Sequence, residues 1–250
     1  MLNTPYNILL IGDNCHDIYQ YGTVDRISPE APVPVFKFDY ETRRPGMAGN
    51  VKENLVKLNC SVNYICDQTS TKIRLIDLRS KQHIVRIDND ITSNPVRLSK
   101  YEISSYDAIV ISDYNKGTID YELVKHLRHV YAGPIFVDTK KTDLAKFEGC
   151  FVKVNDLEYS LATTEPSNLI VTLGKHGASY NKEIFSTEHI EVVDICGAGD
   201  TFLAALCFGY LNNSGDIVKA IRFANRAAAI TVQHSGVYAP SIEEICDLKD

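Results

Sequence analysis

Asp194-Ile195-Cys196-Gly197-Ala198-Gly199-Asp200-Thr201-Phe202 runs straight into the apolar stretch Leu203-Ala204-Ala205-Leu206. A glycine-rich turn that ends in a carboxylate at a helix start is a seat for anionic oxygen. Gly197 and Gly199 lack Cβ, so the backbone can turn its N–H groups inward, and the following helix adds the positive end of its dipole. Asp200 there can take the proton of a hydroxyl held against a phosphoryl group. Asp also caps helices routinely. These residues alone leave base and cap evenly matched.

Outward from that turn, short apolar runs at 6–11, 108–111, 134–137 and 169–172 read as buried parallel strands. Helical patterns at 50–58, 121–130 and 217–232 alternate with them, which predicts an α/β fold of three layers with polar strand ends facing one crevice. The run Arg26-Ile27-Ser28-Pro29-Glu30-Ala31-Pro32-Val33-Pro34-Val35-Phe36-Lys37-Phe38 differs. Its prolines forbid a central strand but allow edge or lid strands. Together with 73–78 and 82–87 it predicts a small β-lid, inserted at about 14–42 and 72–88 of a single domain spanning 1–250. No internal repeat or low-complexity linker interrupts it.

With 250 residues, 44% of them hydrophobic, the chain can bury one good core. A net charge of −6 without Lys/Arg runs argues against nucleic-acid or membrane-surface partners. The seven cysteines are odd in number and never form a Cys-x-x-Cys pair, so neither a disulfide framework nor a zinc site is implied, and a reducing cytoplasm is expected. The opening Met1-Leu2-Asn3-Thr4-Pro5 lacks a basic leader, and no apolar run reaches spanning length. His16, His176 and His234 are isolated, without ligand spacing.

Asp-x-x-Gly-Ala-Gly-Asp-Thr-Phe resembles the C-terminal signature of the ribokinase-like (PfkB) carbohydrate kinases, whose aspartate deprotonates the acceptor hydroxyl. Further segments resemble the kinase module of the heptose-7-phosphate kinase/ADP-heptose synthase family: Gly12-Asp13-Asn14-Cys15-His16-Asp17, the Pro-rich run above, Arg44-Pro45-Gly46-Met47-Ala48-Gly49-Asn50, Ser112-Asp113-Tyr114-Asn115-Lys116-Gly117, Val137-Asp138-Thr139-Lys140, Asn155-Asp156-Leu157-Glu158 and Phe223-Ala224-Asn225-Arg226. The resemblance covers nearly the whole chain and implies a three-layer ribokinase-like fold, ATP and Mg²⁺ as cofactors, and a homodimer joined through the lid. It implies phosphorylation of the anomeric hydroxyl of D-glycero-D-manno-heptose 7-phosphate to the 1,7-bisphosphate, a step toward ADP-heptose and lipopolysaccharide core. The alternatives are another sugar or sugar-phosphate kinase of this type, or a trimmed sugar- or nucleotide-binding protein without catalysis.

The same resemblance implies roles by position. Asp200 would be the base, with Gly197, Ala198 and Gly199 around the phosphoryl group. Asp13, Asp17, Gly46 and Asn50 would meet the sugar, although an Asp after Gly also forms turns. Lys72, Arg74 and Lys116 are candidate cations for the sugar's phosphate, Arg86 being a further supplier; on a lid strand such residues also read as a solvated face. Asp113 would orient Lys116 or cap its turn. Glu158 would serve magnesium, usually through water, or be an ordinary first-turn carboxylate. Asn155, Thr172, Gly174, Gly177 and Asn225 would surround the nucleotide, although the loop glycines also suit a plain β-turn and the Asn on its small-residue helix a packing role. Two departures stand out. Met47 replaces the family's second glycine, and only Asp67-Gln68-Thr69-Ser70-Thr71 remains where these kinases carry a helix and strand; the stretch between Glu158 and Ile170 is shortened too.

Overall fold

A computed structural model describes residues 5–98, 103–187 and 190–248; residues 1–4, where a leader would begin, lie outside them. Five apolar strands, β1 (Asn7–Gly12), β4 (Ser61–Ile65), β7 (Ala108–Asp113), β8 (Ile135–Thr139) and β9 (Phe151–Asn155), form the sheet with β10 (Leu169–Thr172), β11 (Ala178–Tyr180) and β12 (Glu183–Phe185). Their order is β12-β11-β10-β9-β8-β7-β1-β4, parallel throughout except at β10-β11-β12.

The alternation of β1 shows why helices must cover both faces. Ile8 and Leu10 join a core with Val51 and Leu55 of α1 (Ala48–Lys57), with α4 (Ala198–Asn212) and α5 (Ile217–Thr231), and with Ile245 of α6 (Ile242–Asp247). Leu9 and Ile11 join a second core with Leu123, Val124 and Leu127 of α2 (Tyr121–Val130). Each such fully buried aliphatic side chain contributes about 1.5–3 kcal/mol. The helix starts are fixed locally: Asp120 accepts from Leu123 N, and Asp216 accepts from Val218 N and Lys219 N. One further short helix, α3 (Asp156–Ser160), follows β9.

The expected lid is present and larger than the sequence suggested. β2 (Asn14–Ile27), β3 (Pro34–Met47), β5 (Thr69–Asp77) and β6 (His83–Asn89) form a four-stranded sheet in the order β3-β2-β5-β6. Pro29 and Pro32 fall in the connection between β2 and β3, while Pro34 and Pro45 lie on the edge strand β3, where a missing donor is tolerated. The short stretch after Cys66 needs correction: Thr69, Ser70 and Thr71 already belong to β5, because Asn14 pairs with Thr69 and His16 with Thr71. Between β4 and β5 the connection is therefore residues 66–68.

Candidate active site

The C-terminal ends of β1, β7, β8, β9 and β10 open toward the start of α4, where ligands of open parallel sheets sit. A cavity of about 590 Å³ occupies this place. Residues 197–199, Asp200, Asn155, Thr172, Gly174, Gly177 and Asn225 all line it, so the structure gathers the expected base and the expected nucleotide residues in one crevice. Ala228 and Ala229 of α5, Val232 just after it, and Val192 and Ile195 supply an apolar wall. Gly197 has φ 80°, a conformation open to glycine, and a Cβ there would press on Asn50 Nδ2.

Asp200 is 6% exposed. Its Oδ2 accepts from Asn50 Nδ2 at 2.9 Å and its Oδ1 accepts from the Tyr114 hydroxyl at 2.9 Å. Asn50 is itself steadied by Asn54, whose Nδ2 donates to its backbone carbonyl. Burial raises the Asp200 carboxyl to about 6; the charge of Asp138 adds to the rise, while the Asn50 and Tyr114 hydrogen bonds and Lys153 oppose it. Asp200 lies in the first turn of α4 behind the cap residue Gly197, and its two oxygens are taken by Asn50 and Tyr114.

Two cavity residues carry a charge pair that the sequence reading assigned no role. Lys153, in the middle of β9, donates to Asp138 Oδ2 at 2.8 Å, and both side chains are buried. The other oxygen, Asp138 Oδ1, is buried without a hydrogen-bond partner. Lys140 pairs with Glu158 and lies 5.3 Å over the Tyr114 ring; desolvation lowers its ammonium below the ordinary lysine value. A lysine interrupting the apolar run Phe151-Val152-Lys153-Val154 was the available signal for Lys153, and Tyr114 stood unremarked inside the Ser112-Asp113-Tyr114 segment.

The expected sugar residues Asp13, Asp17, Gly46, Asn50, Lys72, Arg74 and Lys116 are not among those lining this cavity; Asn50 reaches it through Asp200, and several of the others are engaged within the chain. Asp13 accepts from Tyr114 N and Lys116 N through Oδ2 and from Thr118 N through Oδ1, so it ties the loop after β7 to the end of β1, a long-range role and not a local turn. Asp17 pairs with Arg74 at 2.5 Å, and Gly46 makes room for it, since a Cβ at 46 would overlap Asp17 Oδ2. Lys72 is half-buried on β5, level with Asp17 on β2 and Asp88 on β6. Arg86 is held by Asp88, and Lys116 pairs with Asp90 at 2.5 Å. Asp113 does not orient Lys116; it accepts from Thr139, Lys141 and Asn115 N, because those groups lie directly over the end of β7.

Asn155 and Glu158 form a reciprocal capping box at the start of α3, the Asn155 side chain accepting from Glu158 N and the Glu158 side chain from Asn155 N. The second Glu158 oxygen faces Lys140, so both carboxylate oxygens have partners. Asn225 donates to Phe185 O at 2.7 Å, tying α5 to β12 beside the cavity. Met47 takes φ 53° and ψ −133°, a region that glycine favours, and its side chain is buried. No cage of three or more His, Cys, Asp or Glu is found among the described residues, and all seven cysteines are free. None of the described helices is long and apolar enough to cross a membrane.

A family model for pfkB family carbohydrate kinases matches residues 142–245, the stretch that carries Asn155, Glu158 and Gly197 to Asp200. Among curated proteins, the chain is 32% identical over 302 aligned positions to the bifunctional protein HldE of Campylobacter curvus, covering 96% of this chain and 64% of the relative. HldE of Nitratiruptor sp. is also 32% identical, over 299 positions, covering 95% and 64%. The chain therefore spans less than two thirds of the length of these relatives. An alignment of 302 positions against 250 residues also leaves tens of the relative's residues facing gaps. Among solved structures, ribokinase of Thermotoga maritima superposes with a TM-score of 0.71 at 17% identity, covering 96% of this chain and 98% of that one. Ribokinase of Arabidopsis thaliana complexed with ribose and ATP gives 0.72 at 15% identity, covering 98% of each. Phosphofructokinase-2 of Escherichia coli in complex with potassium gives 0.72 at 16%, again covering 98% of each. Sequence relatives, fold and a glycine-rich helix start at the mouth of one crevice agree in their likeness to the pfkB family carbohydrate kinases, whose family model matches residues 142–245 of this chain.

Proposed function

We propose that the chain is an ATP-dependent kinase that phosphorylates the anomeric hydroxyl of D-glycero-D-manno-heptose 7-phosphate, giving the 1,7-bisphosphate on the route to ADP-heptose. The observation that carries the kinase chemistry is the buried Asp200 carboxylate, held by Asn50 and Tyr114 at the N-terminus of α4 and facing a cavity that also contains Lys153. A carboxylate raised to about 6 is ionised at neutral pH yet basic enough to take a hydroxyl proton. The α4 amides and the Lys153 ammonium face the space where charge develops on the transferring phosphoryl group. The apolar wall of α5 suits adenine.

Magnesium would neutralise phosphate charge, and the residues fit such an ion: Asp138 Oδ1 is an unpartnered buried oxygen beside the cavity, and magnesium needs few protein ligands. Glu158, with both oxygens engaged, fits that role less well and steadies Lys140 instead. The heptose phosphate reading is supported by likeness to the HldE relatives and by the cations Lys72, Arg74 and Lys116 on the lid side. A second reading, a different sugar phosphate, is favoured by Met47, which fills a buried place at the root of the lid where these kinases carry glycine.

The lid register places Phe36, Phe38, Ile73, Leu75, Val85 and Ile87 on one face, and Phe38, Val85 and Ile87 are exposed. Val35 falls on the opposite face and Val33 in the turn before β3. This face supports a homodimer closed lid to lid. A coupled ADP-release assay over a panel of sugar phosphates tests the function. Turnover with heptose 7-phosphate alone is expected; turnover with another sugar phosphate only would replace the substrate, and none with any would remove the kinase reading.

A further inference from the structure

Three contacts fix Tyr114. Its N–H donates to Asp13 Oδ2 at 2.8 Å, its ring lies under the Lys140 ammonium at 5.3 Å, and its hydroxyl donates to Asp200 Oδ1 at 2.9 Å. The loop it sits on does not need the last of these. Asp13 already gathers the amides of residues 114, 116 and 118, and Asp113 ties the loop's start to Thr139 and Lys141. The phenol bond to Asp200 is thus an addition to a segment folded by other groups.

A carboxylate offers about four lone-pair positions. Tyr114 occupies one on Oδ1 and Asn50 one on Oδ2, each from a different element of the fold, which fixes the plane of the group and leaves one position on each oxygen. We propose that Tyr114 is a positioning residue for Asp200, paired with Asn50 across the carboxylate so that the free lone pairs face the acceptor hydroxyl. This rests on the reading of Asp200 as the base.

Donation to a carboxylate favours its ionised form. The charged groups acting on Asp200 come from several elements, Asp138 on β8, Lys140 just after it and Lys153 on β9, while Asp17, with its partner Arg74, acts from the lid on Tyr114. Asp138 opposes ionisation of Asp200 and Lys153 favours it. Burial and the neighbouring Asp200 charge push the Tyr114 phenol well above its ordinary value, so it remains a donor throughout the working range. Removing its hydroxyl leaves the repulsion from Asp138 with one fewer counterweight.

The test compares Tyr114→Phe with wild type and with 3-fluorotyrosine placed at 114, a stronger donor of the same shape. Infrared titration follows the carboxyl band that Asp200→Asn removes. Tyr114→Phe is expected to raise the midpoint by roughly one pH unit and 3-fluorotyrosine to lower it, as hydrogen bonds to the charged form dictate. The acid limb of kcat/KM, measured with ATP and D-glycero-D-manno-heptose 7-phosphate, should move in the same directions, with kcat reduced about tenfold in Tyr114→Phe and KM for ATP unchanged. Coincident midpoints in all three proteins overturn the inference. If Asp200→Asn keeps wild-type turnover, the base assignment fails on its own, while the infrared midpoints still decide whether Tyr114 tunes that carboxylate.

Discussion

A Cβ on Gly199 would lie 2.9 Å from the Lys153 ammonium, so the first turn of α4 touches the centre of β9 only because position 199 has no side chain. Lys153 is in turn held by Asp138 at 2.8 Å. Gly199→Ala should push the ammonium off Asp138 and away from the phosphoryl site. Misplacement by about 1 Å can cost on the order of a hundredfold in rate. Turnover is expected to fall at least tenfold while the far-UV spectrum is unchanged; unaltered kinetics would show that Lys153 has no part in transfer.

Asp200 gives paired expectations for pH. Activity needs the carboxylate, so kcat/KM should decline with unit slope below about 6 and level off above it. Stability runs the other way. A carboxyl raised by folding favours its protonated state, so the destabilisation is absent below the unfolded value near 3.8 and complete above about 6. Asp200→Asn should therefore lose at least about a hundredfold in turnover, keep its ATP affinity, and gain on the order of 2 kcal/mol at pH 8 that vanishes near pH 3.5. Thermal melts at both pH values check the sign, and a variant less stable than wild type at pH 8 would contradict it.

Lys116 shares its charge with Asp90 in the free protein, and a bound phosphate would compete for the same ammonium. Lys116→Ala should raise KM for a phosphorylated sugar by at least about tenfold, the scale of a charge-assisted contact of roughly 1.5–3 kcal/mol. Calorimetry with ATP should show no change. Equal losses for a sugar phosphate and its unphosphorylated analogue would move Lys116 out of the phosphate site.

Met47 occupies φ 53° and ψ −133° at the start of α1. Backbone of this kind costs a non-glycine residue on the order of 1–3 kcal/mol. Met47→Gly is therefore expected to be about 1 kcal/mol more stable than Met47→Ala in urea unfolding, the reverse of the usual order in helices and strands. Equal stability would mean that position 47 relaxes when the methionine is removed.

Phe38 is 57% exposed on the lid face that also carries Val85 and Ile87. Light scattering at micromolar concentration should give twice the chain mass, and Phe38→Asp should shift it to monomer with weaker sugar binding and an intact fold. A monomeric wild type with full activity would show that the lid closes without a second copy.

Much of the layout was legible from neighbouring residues. The apolar runs at Ile8-Leu9-Leu10-Ile11 and Ala108-Ile109-Val110-Ile111, the helix from Tyr121 and the turn at Gly197 are local patterns, and local patterns decide strands, helix starts and turns, although Ala198 and Gly199 already belong to α4. β9 was missed because Lys153 breaks its apolar run, and a buried lysine makes sense only once Asp138 on the adjacent strand is known to face it. The long β2 and β3 strands were underestimated because their polar residues pair across the lid instead of packing into a core.

The sequence by itself determined that this chain folds as layered α/β with Asp200 at a helix start, since glycine freedom, apolar period and capping act over a few residues. Only the tertiary structure decided which charged groups remain available. Asn50 reaches Asp200 across 150 positions and Tyr114 across 86, whereas Asp13, Asp17 and Glu158 are each engaged by partners within the chain. Hydrogen bonding and charge depend on distance in space, so the Asp200 carboxylate, its two holders and the unpartnered oxygen of Asp138 become distinguishable only when the sheet, α4 and the lid come together.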